Sequence, residues 1–137
     1  MKLKELFLIM LCVVVITAVS FILFYSYYMV LQVREIKMQL TIGDHIGFNV
    51  DTDALYFGTI PPGGIGNREI HIKNENYTQV KVNIKIFGPA RKWIQVTNNN
   101  FILKKGESKD ITFYSYVPKN IAYGIYNGEI KIIFTKF

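Results

Sequence analysis

YFGTIPPGGIGNREIHIKN, from Tyr56 to Asn74, sets two prolines and three glycines between two apolar runs. A loop that cradles a phosphate lies between a strand and a helix, because the helix N-terminus supplies the aligned N–H groups. After Gly66 the residues alternate instead: Ile70 and Ile72 point one way, Glu69, His71 and Lys73 the other. That is the period of a strand. Neither GxGxxG nor GxxxxGK[ST] occurs, so Pro61, Pro62, Gly63, Gly64 and Gly66 read as a connection between two strands, supplying fixed and positive φ values.

The same period runs outward from this stretch. QVKVNIKIF, Gln79 to Phe87, sets Val80, Val82, Ile84 and Ile86 against Lys81, Asn83 and Lys85. GPA breaks it, and WIQV and FIL follow as short pieces around TNNN, then a turn at KKGES. DITFYSYV carries Ile111, Phe113 and Val117 on one side and Thr112, Tyr114 and Tyr116 on the other, ending at Pro118. A last strand runs from Tyr126 to the C-terminus. Upstream, Ile46, Phe48 and Val50 alternate from His45, with a bulge expected around Asp51 to Ala54 before LYFGTI. About seven short strands with regular turn signals predict an all-β, immunoglobulin-like antiparallel sandwich over residues 45–137, with a small closed barrel as the alternative.

Before this domain, Leu6 to Val33 contains no charged residue. A bilayer's hydrocarbon layer takes about 20 apolar residues as helix, so residues 6–33 are expected to form a transmembrane helix in contact with lipid, behind a short tail of residues 1–5. A cleaved signal is the competing reading, since Ala18-Val19-Ser20 loosely fits a cleavage site, but FILFYSYYMVL continues the apolar run beyond it. Tyr25, Tyr27 and Tyr28 cluster where rings prefer headgroups. Without Gly or Pro before Gly43, the helix is expected to continue through QVREIKMQL, making residues 34–44 a juxtamembrane stalk. Lys2 and Lys4 face Arg34 and Lys37 across the span, a tie in the count that sets orientation. The short tail favours a cytoplasmic N-terminus and an extracytoplasmic domain.

The chain carries 16 Lys and Arg against 10 Asp and Glu in 137 residues, a formal charge of +6. Its lysines alternate with apolar residues, as on a solvated sheet face, and lack the dense patch that nucleic acid calls for. The sole cysteine, Cys12, lies in the apolar run, which leaves no disulfide framework or cysteine-based metal site in the domain. No cofactor, metal or catalytic residue is assigned. His45 and His71 have no placeable ligands or nucleophile; Asp51 and Asp53 lack EF-hand spacing; Ser108 sits in the GES turn without a recognisable base. Asn76-Tyr77-Thr78 is a glycosylation sequon in an expected turn.

The stretches LYFGTIPPGG, REIHIKNEN, VKVNIKI, FILKKGESKDITFYSYVP and AYGIYNGEIKI together resemble the immunoglobulin-like modules of archaeal and bacterial envelope proteins. They look like the broader group of sandwiches that includes major sperm protein and PapD-like domains. The likeness covers Ala54 to Phe134 and lies in turns and core positions. It implies a structural or binding role and brings no catalytic residues. Such modules are commonly appended to enzymes; here a single module behind one helix is expected.

Strand parity then selects a surface. If the third, sixth and seventh strands are neighbours, as in immunoglobulin-type sheets, Lys81, Lys85, Phe87, Tyr114, Tyr116, Lys131 and Ile133 share an outward face suited to docking a partner. The expected function is non-enzymatic: a membrane-anchored module binding an envelope protein, a glycan or a membrane complex. The alternatives are an accessory subunit of a membrane complex, with Thr17, Ala18 and Ser20 permitting helix packing, and a filament subunit of pilin or archaellin type. Glu5 suits the filament reading, but MKLKE lacks the Gly of a processing site.

Overall fold

The computed structural model describes residues 2–45 and 54–137. Ile46, Phe48, Val50, Asp51 and Asp53, and the strand start and bulge expected there, lie outside the described residues.

The apolar run folds as helix α1, Leu3–Tyr28, and among the described residues it is the one helix long and apolar enough to cross a membrane, by length and composition. None of its residues is buried. The Thr17 hydroxyl near its centre is satisfied within the helix, because Oγ1 donates to the Val13 carbonyl at 2.7 Å. The helix stops five residues before the expected end at Val33. A single residue, Met29, separates it from strand β1, Val30–Ile42. The expected stalk is therefore corrected: residues 34–44 are largely strand, and the sandwich begins well before His45. Ile36, Met38, Leu40 and Ile42 face the core while Lys37, Gln39 and Thr41 face outward, the alternation of a half-buried strand.

After β1 come β2 (Leu55–Ile60), β3 (Ile65–Lys73), β4 (Gln79–Phe87), β5 (Ile94–Val96), β6 (Phe101–Lys104), β7 (Ser108–Tyr116) and β8 (Gly124–Lys136), with a short 3₁₀ turn at Pro89–Trp93 where GPA ends β4. They form two sheets, one of five strands in the order β2-β1-β8-β4-β6 and one of three in the order β3-β7-β5. The sandwich is thus all-β, as expected, with eight strands among the described residues and one parallel pair, β1 with β2, in place of a wholly antiparallel fold. From β2 to β8 each connection passes from one sheet to the other, so strands adjacent in sequence are never hydrogen-bonded neighbours there. The core lies between the layers. Met38, Leu40, Val80, Val82, Ile130 and Ile132 meet Ile72, Ile111 and Phe113, all at most 1 % exposed.

The opening stretch makes one such crossing. Gly64 N donates to the Pro61 carbonyl at 2.9 Å, and Gly63 at the third position has φ 77°, the type II arrangement that a Pro-Gly centre favours. Elsewhere a single glycine, Gly128, lets strands close up. A Cβ on Gly128 would lie 2.4 Å from Met38 Cε and 2.7 Å from the Phe87 carbonyl oxygen, which is backbone and yields little. Gly128→Val should therefore destabilise the fold by about 2 kcal/mol or more through overpacking. Gly106→Ala, at φ 79° with open space around it, should cost only about 1 kcal/mol of backbone strain. Urea midpoints of the two variants check the ranking, and equal shifts would refute the close-approach argument.

Candidate functional site

The expected docking face divides between the two sheets. Lys85 pairs with Lys131, Asn83 with Ile133, and Lys81 with Thr135, so Lys81, Lys85, Phe87, Lys131 and Ile133 do share the outer face of the five-stranded sheet. Tyr114 and Tyr116 do not join them. Their strand, β7, is the centre of the three-stranded sheet, and both rings face outward on the opposite side of the molecule. The third and seventh strands of the expectation are neighbours, but the sixth is not, because β6 and β1 take the places beside β4 and β8.

On the five-stranded face, Lys131 is engaged by acids while Lys81 and Lys85 make no ion pair among the described residues. Lys131 Nζ bonds Glu35 Oε1 at 2.7 Å, lies 3.6 Å from Glu129 Oε1 and stands over the Phe87 ring at 5.9 Å. The hydrogen bond and charge of Lys131 hold the Glu35 carboxyl below the usual carboxylate range, and the bond to Glu35 raises Lys131 in turn. An exposed ion pair of this kind belongs to a solvated sheet surface and contributes little on its own.

The three-stranded face is different. Tyr114 and Tyr116 stack with centroids 6.3 Å apart, and Tyr116 lies opposite Ile65 in register. Ile65 is 65 % and Tyr116 43 % exposed. Sequence parity placed both tyrosines outward but did not include Ile65, since only the β3–β7 register brings it beside them. The patch lies at the end of the sandwich away from the helix, because β3 starts and β7 ends there.

Clefts open between the sheets among the described residues. One, of about 300 Å³, includes Arg34, His71, Lys73, Asn74, Tyr77 and Phe134; another, of about 390 Å³, includes Ile86, Phe87, Arg91, Val96 and Asn99. His71 Nδ1 and Asp110 Oδ1 are 2.6 Å apart on the outer face, a pairing that the sequence hides because it depends on cross-strand register. Asp110 does not line the cleft that His71 borders, and both side chains are more than half exposed. Among the described residues no three His, Cys, Asp or Glu side chains gather as a metal site. Ser108, at the start of β7, is exposed opposite Lys73. His45 is exposed beside Asp44, whose carboxylate accepts the Tyr123 hydroxyl and pushes that phenol up. Asn76 is exposed in the turn after β3, at the helix-bearing end.

No family model matches the chain, and no curated protein or solved structure matches it.

Proposed function

We propose that this chain is a non-enzymatic, single-pass membrane protein that holds an immunoglobulin-like sandwich outside the membrane to dock an envelope protein or a membrane-complex partner. The kinship with immunoglobulin-like envelope modules belongs to the same proposal. The observation that carries it is the junction. An unburied apolar helix runs into β1 through one residue, and Lys136 N donates to the Met29 carbonyl at 2.9 Å. A spanning helix joined in this way presents the far end of the sandwich to whatever lies beyond the bilayer. There Ile65, Tyr114 and Tyr116 offer an aromatic and aliphatic anchor of the kind that dominates protein interfaces. The N-terminus is cytoplasmic in this reading, which puts the Asn76 sequon on the extracytoplasmic side.

A photoreactive residue at Tyr116 of the full chain, expressed in its native cell, should give a discrete cross-linked species that Ile65→Ser weakens. The same residue at Lys85 should not. Equal cross-linking from both positions would remove the docking assignment. Alkaline carbonate extraction tests the anchor separately: the intact chain should stay with the membrane, and its release to the supernatant would refute a spanning helix.

A further inference from the structure

The helix-bearing end of the sandwich gathers cations that the fold itself does not use. At 1.5 Å per residue α1 is about 39 Å long against a hydrocarbon layer of about 30 Å, so its last turn and Met29 lie at headgroup level when it spans. Lys136 is bonded at that same level through its N–H to Met29. Val80 pairs with Lys136 and Gln79 with Lys104, while Lys105 N donates to the Thr78 carbonyl at 3.0 Å. Register thus places the backbones of Lys104, Lys105 and Lys136 at one level around the start of β4, near the helix exit, with Lys104 and Lys136 on opposite faces of the sheet. All three are exposed, and none makes an ion pair among the described residues. The acids nearby are engaged. Glu75 lies 3.4 Å from Lys73, and Glu107 Oε2 accepts the Lys104 N–H at 2.9 Å. Phe137, 72 % exposed, extends the same end.

We infer that Lys104, Lys105 and Lys136 form a collar that binds the anionic phosphate headgroups of the bilayer that α1 crosses, seating the sandwich on the membrane surface. The inference rests on the anchored reading above. A cation next to anionic phosphate headgroups, on whichever leaflet, gains through charge attraction that decays within a Debye length, and the single-residue junction keeps these lysines close to the headgroup layer. The bilayer is favoured over a soluble anion because the three side chains do not enclose a pocket and share only their level along the helix axis.

The test uses the full chain in nanodiscs of phosphatidylcholine alone or mixed with phosphatidylglycerol, with lysine acylation read by mass spectrometry. With phosphatidylglycerol, Lys104, Lys105 and Lys136 should react about fivefold more slowly, and high salt should reverse the protection. Lys85, on the outer sheet face, should react equally in both. Equal rates at the three collar lysines in the two lipids would overturn the inference while leaving the anchor intact. Protection by inorganic phosphate in phosphatidylcholine discs would replace the lipid with a soluble anion and overturn it as well. Failure of the chain to enter nanodiscs at all would remove anchor and collar together.

Discussion

Asn74→Ala should cost the sandwich about 3 kcal/mol or more, although the side chain is small and belongs to a turn. Asn74 is 3 % exposed, and its amide does the work of a short strand. Nδ2 donates to the Tyr77 carbonyl at 2.8 Å and to the Leu103 carbonyl at 3.1 Å, and Oδ1 accepts the Tyr77 N–H at 3.1 Å. Its backbone meets the following turn, donating to the Glu107 carbonyl and accepting from Gly106. Asn74 thereby ties the end of β3, in one sheet, to β6 at the edge of the other. Alanine keeps the backbone bonds and strips three buried or half-buried groups of their partner, each worth about 1–3 kcal/mol when left unmade. Asn74→Asp should be at least as harmful at neutral pH, since it loses both donated bonds and buries a charge. Part of that loss should return as the pH falls and the carboxyl takes a proton. Asn76→Ala, two residues on and exposed, should stay within about 0.5 kcal/mol. Urea unfolding of the full chain in detergent, followed through the single tryptophan, Trp93, provides the comparison. Equal midpoints for Asn74→Ala and Asn76→Ala would refute the stapling role.

Why some of this was legible and some was not follows from the range of each signal. Period two in Gln79–Phe87 reports which side of one strand is apolar, and Val80, Val82 and Ile84 are indeed buried. It does not report which sheet the strand joins. Tyr114 and Tyr116 face outward as their parity implies, yet the outer faces of two sheets carry the same alternation, and the crossing of each connection from β2 onward puts sequence neighbours in opposite layers. Asp110 and Ile65 take their roles from cross-strand register, and Asn74 from its bond to Leu103 across 29 residues, neither of which local sequence encodes. The strand β1 failed for another reason. Ile36, Met38, Leu40 and Ile42 alternate with Lys37, Gln39 and Thr41, so the period was present. The same residues follow an apolar helix without a Gly or Pro to break it, and Leu, Met, Gln, Glu and Lys favour helix by propensity. Pairing with β8 from Val30↔Thr135 to Ile42↔Gly124, some ninety residues away near the middle of the ladder (Glu35 bonds Lys131 across 96 residues), overrides that preference.

The position of β1 sets a sharp boundary for any fragment of the domain. A chain starting at His45 should fail to fold, while one starting at Val30 should give a cooperative, dispersed sandwich. β1 lies between β2 and β8, so its removal leaves β2 without the ladder partner that the described residues show, and exposes one edge of the long strand β8. It also withdraws Ile36, Met38, Leu40 and Ile42, each at most 6 % exposed. A single buried Leu, Ile or Met truncated to Ala costs about 2–5 kcal/mol, so losing four whole side chains removes on the order of 10 kcal/mol, comparable with the entire stability of a small domain. The open β8 edge then invites pairing with other chains, and the shorter fragment should aggregate. Leu40→Ala in the longer fragment isolates one part of the effect and should lower stability by about 3 kcal/mol. Size exclusion and amide dispersion in proton–nitrogen spectra distinguish the two fragments. A monomeric, cooperatively unfolding fragment starting at His45 would mean that β1 is dispensable, and the sandwich would then have to close its five-stranded sheet without the strand that joins it to the helix.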